Sequence, residues 1–132
     1  MFLDKDKIQK INLFENLTSA KIKDFIDDEK IVIIVKQGEI RKAIGEHGKN
    51  IKMIEKIIHK RLKIIEFNND PLIFTKNFIY PLKTDINLNN DIIEIKAQDR
   101  KTKGLLIGRN GKNLNKLNNL IKNYFNLTIK II

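Results

Sequence analysis

An eight-residue segment that occurs twice is the feature that most constrains the fold of this chain. It reads IGEHGKNI at residues 44–51 and IGRNGKNL at residues 107–114, and the two copies align without a gap. All 6 glycines of the chain lie in or near these copies, three to each. Because glycine weakens helices and strands unless the backbone must bend sharply or approach something closely, we predict one structural task that is performed twice.

The repeat predicts two small domains of similar size instead of one. We place the boundary after Asn68, which gives domains 1–68 and 69–132. The polar residues around this point form a break, and Asp70 followed by Pro71 is a typical helix start.

Apolar periodicity predicts the same order of elements in both halves: helix, two strands, short helix, glycine turn, longer helix, closing strand. The fold class is therefore α+β, with a three-stranded sheet covered by helices in each domain. The β-branched run 31–35 predicts a central strand. The predicted helices are 4–17, 39–44, 49–61, 71–80, 100–107 and 112–125, and the strands are 21–27, 30–36, 62–67, 83–88, 92–97 and 127–132.

The charge of the chain favours a polyanionic partner. The net charge is +10, and both halves are basic, so nucleic acid is a better candidate than a membrane surface. No apolar run approaches the length of a membrane span, and the first ten residues lack a signal-peptide pattern, so we expect a cytoplasmic protein. The absence of cysteine excludes disulfides and thiol catalysis.

The chemistry of a G-x-x-G turn between two helices suits a phosphate chain. Main-chain N–H groups at the start of the second helix lack partners there, and the helix end adds a partial positive charge. The glycines remove the Cβ atoms that would hold a phosphate chain away. Lys49 in the first copy, and Arg109 with Lys112 in the second, supply cations. A single G-x-x-G is more often a tight helix connection, but the duplication and the charge favour nucleic-acid binding.

The pattern I-G-x-x-G-K-N-[IL] on this scaffold resembles a KH domain, and a closing strand placed last resembles the type II arrangement. Two such units with little else resemble the short archaeal form of the transcription factor NusA, over nearly the whole chain. The resemblance implies single-stranded RNA binding in transcription elongation, termination or antitermination, with RNA polymerase as a possible partner. It implies neither catalysis nor a cofactor or metal, and we expect a monomer.

The RNA-binding residues predicted on this basis lie in and beside the two turns. An apolar groove next to them is predicted to include Ala43, Leu106 and the strand 92–95, although several of these side chains must also be core. The predicted contacts are Ile44, Gly45, Glu46, His47, Gly48, Lys49, Ile51 and Lys52 in the first half, and Ile107, Gly108, Arg109, Asn110, Gly111, Lys112, Leu114 and Lys116 in the second.

The two turns differ in charge. A carboxylate at Glu46 would repel RNA phosphates, so the second turn is predicted to make the stronger contact. An ATP-binding phosphate loop is excluded because Asn113 stands where Ser or Thr is required. Two alternatives stay open: an adaptor that docks on RNA polymerase, and a ribosome-maturation factor with weak RNA contact. Phe74, Phe78 and Tyr80 are expected in the core or at an interface rather than as base-stacking platforms.

Overall fold

The computed structural model describes residues 5–132, so Asp4, where the first predicted helix begins, lies outside the described residues. The backbone divides into two compact units, Met1–Asn68 (unit 1) and Asn69–Ile132 (unit 2). Each unit holds one three-stranded sheet and three α-helices among its described residues, which confirms the α+β fold class.

The elements of unit 1 follow the predicted order. A short 3-10 turn, Glu46–Gly48, separates the two helices that flank the first glycine turn (residues 45–48). The elements are α1 (Lys5–Thr18), β1 (Ile22–Asp27), β2 (Ile31–Val35), α2 (Ile40–Ile44), α3 (Lys49–Ile58) and β3 (Leu62–Glu66).

The elements of unit 2 repeat this order. Its 3-10 turn, Arg109–Gly111, belongs to the second glycine turn (residues 108–111). The elements are α4 (Pro71–Ile79), β4 (Thr84–Asn89), β5 (Ile92–Ala97), α5 (Arg100–Ile107), α6 (Lys112–Phe125) and β6 (Thr128–Ile131).

Both sheets have the same topology. The strand order is β1-β2-β3 in unit 1 and β4-β5-β6 in unit 2. In each sheet the first two strands pair antiparallel, and the closing strand pairs parallel to the middle strand. A parallel pair needs a long crossover, and the helix–turn–helix segment provides it. This is the type II KH arrangement that the resemblance implies.

The middle strand of unit 1 is the centre of its core. All five residues of β2 are buried, which confirms the central strand predicted from its β-branched sequence. Ile31, Ile33 and Val35 pack in one cluster with residues from α1, α2 and α3. The helices before and after the first glycine turn are therefore fixed on the sheet by Ala43 and Ile54, respectively.

Two aspartates start helices as the sequence predicts. The Asp70 carboxylate accepts a hydrogen bond from the Leu72 N–H at 2.9 Å, and Pro71 occupies the first helical position. The Asp99 carboxylate accepts one from the Thr102 N–H at 2.7 Å. Hydrogen bonds from Thr102 also hold the pKa of Asp99 below its ordinary value.

The helix α3 is shorter than predicted. It ends at Ile58 instead of near Arg61, because His59 adopts a left-handed conformation with φ 57° and its N–H donates to the Glu55 carbonyl at 2.9 Å. Such a left-handed cap ends the helix without interrupting the apolar periodicity, so the sequence pattern gives no sign of it.

The aromatic residues of α4 are divided between core and surface. Phe74 and Phe78 are 0% and 1% exposed, which confirms them as core. Tyr80 is 76% exposed, so it does not lie in the core, and its place at an interface stays a prediction. The helix ends at Ile79, and Tyr80 turns into extended backbone with ψ 137°, off the buried face of the helix.

An ion cluster joins three parts of unit 1. Asp27, at the end of β1, accepts hydrogen bonds from the Lys10 ammonium at 2.5 Å and the Lys60 ammonium at 2.7 Å. Burial raises the pKa of Asp27, but these hydrogen bonds outweigh burial and hold the pKa below its ordinary value. The cluster therefore fixes α1 and the segment after α3 to the same end of the sheet.

No helix in the described part of the chain is both long enough and apolar enough to cross a membrane.

Candidate nucleic-acid interface

The two glycine turns follow the same backbone path. Gly45 has φ 76° and ψ 168°, and Gly108 has φ 76° and ψ 173°. The third residue of each turn is left-handed, with φ 56° and ψ 26° at His47 and φ 56° and ψ 28° at Asn110. Two sequences that share only their glycines at these four positions thus adopt one conformation.

Hydrogen bonds inside each turn close it on the preceding helix. The Gly45 N–H donates to the Arg41 carbonyl at 2.9 Å, and the Gly48 N–H donates to the Gly45 carbonyl at 3.1 Å. The second turn repeats both bonds at the same distances, from Gly108 to Gly104 and from Gly111 to Gly108.

The middle residues of the turns offer unused main-chain donors. In the first turn the bonds of the 3-10 segment are donated by Gly48 and Lys49. The geometry of such a segment leaves the N–H groups of its first two residues, here Glu46 and His47, without a partner inside it. Both residues are exposed.

The two glycines of a turn are required for different reasons. A Cβ at Gly45 would lie 2.8 Å from the Asn50 side chain, and a Cβ at Gly108 would lie 2.7 Å from the Asn113 Cβ. At Gly48 nothing lies within 4 Å of such a Cβ, so only its left-handed φ of 71° favours glycine. The first glycine permits close packing, whereas the second faces open space.

Two asparagines that the sequence analysis did not place in the site hold the turns together. The Asn50 amide donates to the Lys42 carbonyl at 2.8 Å, across the first turn. The Asn113 amide lies 3.3 Å from the carbonyls of both Leu105 and Leu106, across the second. The asparagine that follows lysine in both copies of the repeat was the available signal.

The predicted contact residues form one exposed patch at each turn. Glu46, His47, Lys49 and Lys52 are exposed around the first turn, and Arg109, Asn110 and Lys112 around the second. The remaining predicted residues are half-buried beside them: Ile44, Gly45, Gly48, Ile51, Ile107, Gly108, Gly111, Leu114 and Lys116.

The predicted groove is narrower than the sequence suggested. Ala43 and Leu106 are buried in the cores of their units, and so are Ile93 and Ile95 on the middle strand of unit 2. Their placement in a ligand-lining groove is wrong, because a buried side chain offers no surface to a base. The half-buried aliphatic residues on either side of each turn are the apolar surface that remains.

The charges at the two turns differ. In the first turn, the His47 imidazole lies 3.8 Å from the Glu46 carboxylate, and both side chains are exposed. In the second turn, no ion pair among residues 5–132 involves Arg109. The described residues contain no group of three or more His, Asp or Glu side chains that could hold a metal ion.

Comparison with known proteins identifies relatives across most of the chain. A probable transcription termination protein NusA from Methanocaldococcus jannaschii is 31% identical over 98% of this chain and 74% of its own length. Proteins of the same description from Methanococcus vannielii and Halococcus morrhuae are 34% and 27% identical, over 86% and 95% of this chain and 69% and 93% of their own lengths. No model of a known protein family matches the chain.

A solved structure shares the fold. The crystal structure of APE1850 is similar with a TM-score of 0.72, over 98% of this chain and 100% of that one, at 23% identity. At this identity the similarity establishes the fold alone.

Proposed function

The chain belongs to the family of archaeal proteins described as probable transcription termination protein NusA, and from this premise we propose that it binds single-stranded RNA through its two glycine turns. The binding would serve transcription elongation, termination or antitermination. It requires no catalytic step and no cofactor. The observation that carries the proposal is the shared backbone of the turns, whose exposed middle residues have main-chain N–H groups without a partner inside the turn.

The main-chain donors explain why such a turn suits a sugar–phosphate chain. Phosphate oxygens accept hydrogen bonds from main-chain N–H groups at helix starts, where the helix end also favours negative charge. A Cβ added at Gly48 would have no neighbour within 4 Å, and one added at Gly111 would have none closer than 3.9 Å. A phosphate therefore has room to approach the backbone at these glycines. Half-buried aliphatic residues next to the turn then meet the bases, as a clamped single strand requires.

The two turns are proposed to contribute unequally. Arg109 and Lys112 place two exposed cations at the second turn. At the first turn, Lys49 is opposed by the exposed carboxylate of Glu46. Because like charges repel, an RNA phosphate is bound more weakly beside Glu46 than beside Arg109.

A protein-binding role for unit 1 is the second candidate function. Met53 and Ile57, one turn apart on α3, are 40% and 50% exposed. The helix that carries them follows the turn with the weaker phosphate site. An adaptor that docks on RNA polymerase, or on a ribosomal particle during maturation, would use such an apolar surface.

A salt titration distinguishes RNA clamping from the adaptor role. The affinity for a labelled single-stranded RNA oligomer should fall log-linearly with salt, with a slope of roughly −0.7 for each phosphate neutralised. A duplex DNA of equal length is the matched ligand control and should bind more weakly. An adaptor would bind neither ligand measurably at moderate salt, and that result would refute the proposal.

A pair of double variants tests whether the turn is the site. Arg109→Asp with Asn110→Asp reverses the charge at the second turn and should weaken RNA binding. Lys122→Asp with Asn123→Asp changes the net charge equally, at exposed positions near the end of α6. Equal losses in both double variants would mean that overall charge, and not the turn, binds RNA.

A further inference from the structure

An exposed tyrosine lines one of two neighbouring clefts of unit 2. Tyr80 lines a cleft of about 260 Å³ together with Lys76, Leu82 and Lys83. Lys83 and Thr84 also line an adjoining cleft of about 350 Å³. The two clefts share Lys83 and Thr84 at the start of β4, and we call the pair the β4 trough.

The β4 trough is basic. Lys76, Lys83 and Lys96 line it, and no ion pair among the described residues 5–132 involves any of them. One carboxylate, Asp85, lies in the trough, opposite Lys96 in the strand register. Three lysines against one aspartate leave a net positive surface beside Tyr80, a residue that is 76% exposed.

We propose that the β4 trough is a second contact site for single-stranded RNA, in which Tyr80 stacks on a base and the lysines neutralise phosphates. Aromatic rings beside cations are the usual means of holding a single strand without reading its sequence. The inference rests on the proposed function, because it extends the path of the same RNA. None of the residues that line the trough belongs to the glycine turn, so the trough would add contacts to those that the turn makes.

The charge of the trough favours RNA over a protein partner. A lysine-rich trough with one carboxylate complements a polyanion, whereas a protein interface concentrates apolar and aromatic residues and contains few lysines. The corresponding connection in unit 1, between α1 and β1, is Ser19-Ala20-Lys21, which contains no aromatic residue and in which Ala20 is buried. The trough is therefore a property of unit 2, whose glycine turn carries the exposed cations Arg109 and Lys112.

A single tryptophan gives a direct reading of base stacking. The chain contains no tryptophan, so Tyr80→Trp places one reporter in the trough. Adding a 16-nucleotide single-stranded RNA should quench its fluorescence, with the same midpoint as binding measured by anisotropy of the labelled RNA. Unchanged fluorescence at saturating RNA would overturn the proposal.

Affinity measurements separate this inference from the proposed function. Tyr80→Ala should weaken binding of the 16-nucleotide RNA about fivefold or more, because the stacked base is lost. Tyr80→Phe keeps the ring and should bind like the unchanged chain, and circular dichroism melting of both variants checks the fold.

Two further results decide between the claims. If Tyr80→Ala binds normally while Arg109→Asp with Asn110→Asp loses affinity, the β4 trough is refuted and the glycine-turn site stands. If the unchanged chain does not bind the RNA, both fail together.

Discussion

The first and second glycine turns follow one backbone path and present opposite charges. Their first glycines differ by 5° in ψ, from 168° to 173°, and their third residues by 2° in ψ, from 26° to 28°. Between the glycines stand Glu46 and His47 in one turn, and Arg109 and Asn110 in the other. This difference indicates that the glycines and the asparagine after each turn determine its conformation. The exposed middle residues can therefore vary, and their charge can determine which ligand the turn favours.

Asn50 and Asn113, which bridge the two turns, differ in burial and in the length of their hydrogen bonds. Asn50 is 8% exposed and makes one hydrogen bond at 2.8 Å. Asn113 is half-buried and divides its amide between two carbonyls at 3.3 Å. The added Cβ at Gly45 would meet the Asn50 side chain, whereas at Gly108 it would also lie 3.0 Å from the Asn113 backbone nitrogen. A side chain can move aside more easily than a backbone atom, so the second turn is the less tolerant of the two.

The largest expected effect is a difference in stability between alanine variants at the two glycines of the second turn. Gly108→Ala should lower the stability of unit 2 by about 3 kcal/mol, since a Cβ there meets Asn113 in a backbone region that is essentially limited to glycine. Gly111→Ala should cost about 1 kcal/mol, because only its left-handed φ opposes alanine. Hydrogen exchange of the β5 amides measures both, and equal losses would contradict the division of roles between the glycines.

The charge difference between the turns predicts the next largest effect. Arg109→Asp with Asn110→Asp should weaken RNA binding about tenfold, because a charge-assisted contact to phosphate is replaced by repulsion. Glu46→Asp with His47→Asp should cost less than about threefold, since that turn already carries a carboxylate. Fluorescence anisotropy with one RNA oligomer compares them, and equal losses would remove the ranking of the two turns.

A double-mutant cycle sharpens the comparison of packing. Asn50→Ala removes the atoms that a Cβ at residue 45 would approach most closely, so Gly45→Ala and Asn50→Ala should be coupled by about 1 kcal/mol. Asn113→Ala leaves the Cβ and backbone of residue 113 in place, so the coupling energy between Asn113→Ala and Gly108→Ala should be less than about 0.5 kcal/mol. Hydrogen exchange in the middle strand of each unit gives both values. Similar coupling in the two units would show that the turns are packed alike.

The smallest expected effect contrasts the ends of β1 and β4. Asp27 ends β1 between two ammonium groups, whereas the neutral Asn89 ends β4. The pKa of Asp27 is lower in the folded state than in the unfolded state. Its charge therefore stabilises the folded state fully above the unfolded pKa of about 3.9, and this stabilisation is lost as the pH falls through the folded pKa.

The measurement for Asp27 compares two conditions. Asp27→Asn should destabilise unit 1 by about 1 kcal/mol near neutral pH and by almost nothing in acid below the folded pKa. Urea titration that follows NMR signals of each unit reports the change, and the signals of unit 2 provide the control. A loss that stays constant down to this pH would exclude the charge of Asp27 as its cause.

The order of elements was accessible from the sequence because local signals agree with the fold. The β-branched run of β2, the Asp70–Pro71 helix start and the Asp99 cap each predict what the structure contains. The end of α3 was missed, because a left-handed His59 stops the helix while the apolar pattern continues. The sequence left Tyr80 between core and interface for a related reason: one residue past the end of a helix, its neighbours in sequence no longer decide its exposure.

The sequence predicted the positions of the two turns, but it did not predict the packing and hydrogen bonds that hold them. Glycine spacing located both turns, because the backbone conformation demands glycine at those positions. The division of the aliphatic residues between core and surface depends on packing in three dimensions, so Ala43 and Leu106 were assigned to a groove they do not line. The bonds from Asn50 and Asn113 cross the turn to carbonyls seven or eight residues earlier, a distance that periodicity does not reveal.

The parallel pairing of each closing strand has a consequence for the order of events on the ribosome. The first sheet can close once residues 62–66 have left the ribosome, whereas the second must wait for residues 128–131. Since domains generally fold as units, N-terminal first, during synthesis, the acidic turn is set while the basic one is still being made. A nascent chain therefore passes through a stage in which the acidic turn is folded and the basic turn is not.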